Sequence, residues 1–144
     1  WTKLYPLGIK NDSSTAASSD FSEADTALGI TETRDDSIAD LFSTDGSTAK
    51  NTTTIKVFGR TLTNISITNS VNNSNFNTSI LWDASDSTNN EFDATDKEDL
   101  VFISKLNANK TGTYGTYDYE IRVPANLNTY KGSNDQVAFY AELE

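Results

Sequence analysis

Hydrophobic positions along the chain change period near residue 50. Before it, DFSEADTALG sets Phe21, Ala24 and Leu28 at helical spacing, with Asp20 and Glu23 in the first turn and Gly29 after the last apolar position. This predicts a short helix that stops at its glycine, and DDSIADLF, with Ile38, Leu41 and Phe42, adds another turn or two. After Lys50 the period falls to two. TTTIKVFG places Ile55 and Val57 on one side; TNISIT places Ile65 and Ile67 on one side and Asn64, Ser66 and Thr68 on the other. SILWD is a short strand, and LVFISKL is apolar on both parities, as expected of a buried central strand. Alternation is cleanest in YDYEIRV (Tyr117, Tyr119, Ile121, Val123) and QVAFYAELE (Val137, Phe139, Ala141, Leu143), each predicted to turn one face to a core and one to water.

The first ten residues, WTKLYPLGIK, read as a further strand. Trp1, Lys3, Tyr5, Leu7 and Ile9 share one side, and Thr2, Leu4, Pro6, Gly8 and Lys10 the other. The low-complexity segment 11–19, NDSSTAASS, follows with no large apolar residue, a flexible linker with a reach on the order of 30 Å. The expected architecture is therefore mainly β: a single antiparallel β-sandwich or jelly-roll-like domain over 20–144, short helices confined to residues 20–42, and an N-terminal extension strand over 1–10.

Composition narrows the chemistry. The 144 residues suit one domain. There is no Cys and no His, which removes disulfides, a thiol nucleophile, the commonest zinc ligands and the usual neutral-pH general base. A net charge of -10 without a basic cluster argues against nucleic acid as a partner. No segment approaches the roughly 18 to 20 apolar residues of a membrane helix, so no membrane insertion is expected of this chain. Met is absent even at position 1, which leads to the expectation that a leader or an anchor has been removed.

Ser, Thr and Asn number 16, 20 and 15, a bias expected of an extracellular surface protein. Six N-x-S/T sequons occur, at Asn11, Asn51, Asn64, Asn72, Asn77 and Asn109, against roughly four expected by chance. All lie in polar stretches or on a polar strand face, and several are expected to carry glycans.

Other candidate chemistry is weighed against plainer readings. Acidic residues Asp83, Asp86 and Asp93 in the run DASDSTNNEFDATDKED offer oxygen ligands for calcium, but the spacing fails the EF-hand pattern and a solvated loop is the simpler reading. TYGTYDY has the aromatic content to stack on sugar rings, yet Tyr117 and Tyr119 carry core parity, leaving Tyr114 and Tyr130 outside the pattern. Lys56 and Lys105 lie within predicted strands, where Lys to Asn isopeptide links occur, but no motif names an Asn partner and a salt bridge or solvent is the simpler reading. No pair of carboxylates is singled out for hydrolysis, so no enzyme activity and no cofactor are expected.

Three readings fit residues 1–10: the domain's own first strand, the stub of a removed membrane helix, or a donor strand that completes the sheet of the next subunit. In the third, main-chain hydrogen bonds run along an open sheet edge while Trp1, Tyr5, Leu7 and Ile9 fill pockets as anchors. Pro6, lacking a backbone donor, suits an edge.

Taken together, the N-terminal strand on its tether, the Ser/Thr/Asn-rich β domain, the absence of Cys, the sequons and a strand running to the last residue resemble archaeal extracellular filament subunits. These are donor-strand pili or threads, including bundling pilins similar to the TasA and camelysin biofilm fibre proteins. The resemblance implies a β-sandwich, head-to-tail polymerisation of identical subunits at the cell surface, and a role in adhesion or biofilm. The alternative is the extracytoplasmic head of a membrane-anchored pilin-like or archaellum-associated protein; a carbohydrate-binding module or enzyme comes third.

Overall fold

A computed structural model describes residues 3–9, 20–70, 74–93 and 99–124. Among the described residues the chain is mainly β and antiparallel, a single small domain with two short helices. Its elements are β1 (Leu4–Pro6), α1 (Asp20–Ala27), α2 (Ile38–Phe42), β2 (Thr52–Val57), β3 (Arg60–Asn69), β4 (Asn77–Asp83), β5 (Asp99–Ser104), β6 (Lys110–Thr111) and β7 (Thr116–Tyr117).

Strand β4 organises the sheet. Along one edge it pairs with β5 over its length, from Thr78↔Ser104 to Asp83↔Asp99. The other edge is shared. Near its start β4 pairs with the end of β3 (Ile67↔Ser79, Asn69↔Asn77), and near its end with β1 (Leu4↔Asp83, Tyr5↔Trp82, Pro6↔Leu81). The first half of β3 diverges from β4 and pairs with β2, from Val57↔Arg60 to Thr52↔Ser66. The turn joining them is Phe58–Gly59, both at positive φ (47° and 73°), so a bulky residue occupies a backbone position that favours Gly or Asn.

Burial on both faces of β4 follows from its alternation. Ile80 and Trp82 join Phe21 and Ala24 of α1 and Ile38, Leu41 and Phe42 of α2 in one core; Leu81, facing the opposite way, joins Leu4, Ile55, Val57, Leu62 and Ile65 in a second. α1 ends before Gly29, whose φ of 67° suits a helix stop, and Ser37 caps α2 by accepting the Asp40 N–H at 3.0 Å. The helices are joined through Asp25. Its buried carboxylate accepts the backbone N–H groups of Ile38 at 2.7 Å and Ala39 at 2.8 Å.

Four expectations need correction. YDYEIRV does not form a strand over 117–123 among the described residues: pairing stops at Tyr117, and Tyr119 and Val123, expected in the core, are 60% and 42% exposed. LVFISKL is not fully buried. Leu100 to Ile103 are half-buried, and among the described residues β5 pairs only with β4. Ser66, expected on the polar side of its strand, is buried beneath α2, its hydroxyl donating to the Phe42 carbonyl at 2.7 Å. In the N-terminal strand, Leu4 and Pro6 are buried along with Leu7, because the strand lies between two cores and both its faces are used. The strand expected over QVAFYAELE lies outside the described residues.

Candidate assembly site: the seat of the amino-terminal strand

Where β3 swings away from β4 it leaves a length of β4 edge, and β1 fills it. The backbone contacts run in a ladder: Ala84 N–H donates to the Lys3 carbonyl at 3.0 Å and Leu7 N–H to the Ile80 carbonyl at 3.5 Å, flanking the paired residues Leu4 to Pro6. Side chains lock the ladder from both faces. Leu4 enters the core of Ile55, Val57, Leu62, Ile65 and Leu81, and Leu7 enters the helix-side core. Full burial of a leucine contributes about 1.5 to 3 kcal/mol, so these two residues carry a large part of what holds the strand.

Three polar contacts clasp it. The Arg60 guanidinium, placed at the start of β3 by the Phe58–Gly59 turn, lies over the Tyr5 ring at 5.4 Å and donates to the Leu4 carbonyl at 3.3 Å. Farther along, the Trp82 indole N–H donates to the Ile9 carbonyl at 2.9 Å. The Asp20 carboxylate, at the start of α1, accepts the Gly8 N–H at 3.1 Å. Gly8 is required there by its φ of 86°, and a Cβ at that position would come within 3.2 Å of the Phe21 ring. Tyr5 and Trp82 pack ring to ring with centroids 6.0 Å apart.

Of the four expected anchors, Tyr5, Leu7 and Ile9 are all in this seat, within their own chain, and Trp1 lies outside the described residues. Leu4 and Arg60 were not singled out from sequence. Parity put Leu4 on the minor face, and nothing in the pattern near Arg60 marks it as a partner of a strand 56 positions away.

The remaining candidates are dispersed. Asp83 accepts from Ser85 N–H and Oγ, and Asp93 from Asn89 Nδ2; among the described residues no three acidic groups converge in a way that would hold a metal ion. Asn51, Asn64 and Asn109 are exposed. Asn77 is half-buried in β4 with its carboxamide oxygen enclosed and without a hydrogen-bond partner, a poorer glycan position than its polar neighbours suggested. Asn11 and Asn72 lie outside the described residues. Lys56 and Lys105 are both exposed.

A surface depression of about 500 Å³ between α2 and β3 is lined by Asp35, Asp40, Lys50, Asn51, Asn69 and Arg122. Its charges are used locally: Lys50 Nζ lies 3.7 Å from an Asp40 carboxylate oxygen, and Arg122 donates to the Asn69 carbonyl at 3.4 Å. Among the described residues no helix is long and apolar enough to cross a membrane.

No family model matches the chain, and neither a curated protein nor a solved structure matches it significantly.

Proposed function

We propose that the chain is the structural subunit of an extracellular filament, polymerising head to tail when β1 leaves its own seat and completes the sheet of a neighbour. One observation carries the reading. The seat is a gap in the sheet, bounded by β4 and the diverging half of β3, and it is closed by a strand of only three paired residues at the amino-terminal end of the chain. The same hydrogen bonds and the same Leu4 and Leu7 burial are made whether the strand comes from its own chain or the next, so the exchange has little enthalpic preference. Segment 11–19, without a large apolar residue, sets the balance. A short connection gives the strand an intrachain effective concentration on the order of millimolar, and polymerisation needs a comparable local concentration of neighbours.

In this reading the protein acts by assembly in adhesion or biofilm rather than by catalysis, it lies at the cell surface, and the exposed sequons Asn51, Asn64 and Asn109 carry glycans. Intact mass of natively produced protein above the 15.8 kDa of the chain tests the last point, and a mass equal to it contradicts it.

The second reading, a monomeric head domain of a membrane-anchored surface protein, is favoured by β1 lying in its own chain. Electron microscopy and sedimentation of native material separate the two. Long unbranched fibres support the filament. A particle that stays monomeric with residues 1–10 intact at millimolar concentration supports the head domain.

A further inference from the structure

The pattern N-x-S/T names two side chains, the asparagine that takes a sugar and a hydroxyl two residues on, and a transferase that reads the pattern has to reach both. An exposed asparagine alone does not make an open sequon. The four sequons of the described residues differ at the hydroxyl.

Asn64 faces outward because β3 carries a bulge. Thr53 pairs with Ile65 and Ile55 with Leu62, so Thr63 and Asn64 together oppose the single residue Thr54, and Asn64 takes a positive φ of 59°. Two residues on, the ladder has resumed at Thr52↔Ser66 and the hydroxyl lies under α2. Ser66 is 0% exposed and donates to the Phe42 carbonyl at 2.7 Å. Exposing that hydroxyl means lifting β3 from Phe42, itself fully buried in the helix-side core. Asn77 is closed in the same way. Its Ser79 is 1% exposed in the middle of the sheet, paired with Ile67 on one side and Ile103 on the other.

Asn109 differs at each point. It stands in a turn at φ 55°, and Asn109, Lys110 and Thr111 are all exposed. The bonds that tie this sequon down use its backbone: the Asn109 N–H donates to the Asp118 carboxylate at 2.9 Å, and the Thr111 carbonyl accepts from Asn75 at 3.1 Å. Its strand pairing is the two-residue ladder Lys110↔Tyr117 and Thr111↔Thr116, outside the main sheet. So short a ladder opens locally at a far lower cost than the central sheet does. Asn51 falls between the two cases, exposed itself but with Thr53 half-buried in the β2–β3 ladder.

We propose that Asn109 is the acceptor site of the folded chain, taking a glycan from a lipid-linked oligosaccharide, and that Asn64 and Asn77 accept one only before the sheet forms. This rests on the reading of the chain as a glycoprotein. In the transfer, Asn109 Nδ2 bonds to the anomeric carbon of the sugar and gives up one proton to solvent. The bond from that carbon to the lipid phosphate oxygen breaks, and its electron pair leaves with the phosphate. A glycan on Asn64 in native material therefore dates its addition to before folding.

The test presents the folded, unmodified full chain to a purified single-subunit oligosaccharyltransferase with a lipid-linked oligosaccharide and follows each sequon by peptide mass mapping. Peptides spanning 105–115, 60–70 and 74–83 give the rate of each sequon without the fold, which removes any preference of the enzyme for Thr over Ser. Expected is a ratio of folded-chain to peptide rate about tenfold or more higher at Asn109 than at Asn64 or Asn77. Thr111→Ala is expected to abolish transfer to Asn109 with the melting temperature unchanged. Equal ratios at the three positions, or no transfer to Asn109 of the folded chain while its peptide is modified, overturns the proposal. The intact mass of native material tests the glycoprotein reading by itself, and its outcome does not alter these ratios.

Discussion

The indole N–H of Trp82 donates to the carbonyl of Ile9 at 2.9 Å, joining the middle of the sheet to the residue just beyond the first strand. Trp82 is fully buried, packs its ring against Tyr5 at 6.0 Å and meets Phe92 edge-on at 6.3 Å. It therefore reports on the seat both by hydrogen bond and by packing. Replacing it with Phe keeps most of the apolar contact and removes the donor, and a cost of about 1 to 2 kcal/mol in urea unfolding is expected. Limited proteolysis near residue 9 should speed up in the same variant.

Arg60 holds the other end of the strand through the Tyr5 ring and the Leu4 carbonyl. Arg60→Ala is expected to destabilise the chain by about 1 kcal/mol and to loosen β1 first. Hydrogen exchange reads this directly: the Leu7 and Ala84 amides, which bond across the β1–β4 ladder, should lose protection before those pairing β4 with β5.

Gly8 tests the required backbone shape. At φ 86°, with the Phe21 ring 3.2 Å from where a Cβ would stand, Gly8→Ala is both strained and crowded, and a loss of about 1 to 3 kcal/mol is expected in thermal or urea unfolding. Gly29→Ala is the control, since its φ of 67° carries the same backbone strain with open space around the position, so the smaller loss should be there.

Asp25 gives the chain a defined pH response. Burial raises its pKa above the ordinary 3.8, against the lowering effect of the Ala39 and Ile38 N–H bonds. A carboxyl with a raised folded-state pKa binds its proton more readily in the fold, so its contribution to stability rises as pH falls through the folded value and is complete below 3.8. Glu120 acts in the opposite sense. Burial pulls its pKa up, but the bonds from Thr113 and Tyr117 outweigh this and hold it low, so its contribution is present above the unfolded value and lost as pH falls through the folded one. The melting-temperature gap between the native chain and Asp25→Asn should therefore widen from pH 7 to pH 4, while the gap to Glu120→Gln should shrink over the lowest part of that range.

Much of the fold was legible because it depends on local rules. Helix α1 stops at Gly29 as its spacing indicates, and Ile55 and Val57 point inward together, each 8% exposed. What parity could not supply is the identity of the neighbour. Ser66 shares a side with Asn64 and Thr68, yet α2 lies over it and offers the Phe42 carbonyl. Leu4 and Leu7 have opposite parity and are both buried, since β1 sits where two cores meet. Tyr119 alternates as a core residue does and is exposed, because alternation says which way a side chain points and not what stands there. The seat itself depends on β3 leaving β4 after a few pairs, and the apolar pattern along β3 carries no mark of that departure.

Strand exchange is tested most directly by a cysteine pair across the seat. Leu4 and Asp83 are directly opposed, and the adjoining Lys3–Ala84 backbone bond makes theirs the non-hydrogen-bonded, closer type of pair, with Cα atoms about 4.5 Å apart, within disulfide reach. The chain has no cysteine of its own, so no native thiol competes in Leu4→Cys/Asp83→Cys, and either single substitution alone controls for like-with-like pairing. Assembled material, oxidised and then run denatured without reductant, is predicted to give a ladder of covalent multimers. A single monomer band with its disulfide closed internally would contradict strand exchange.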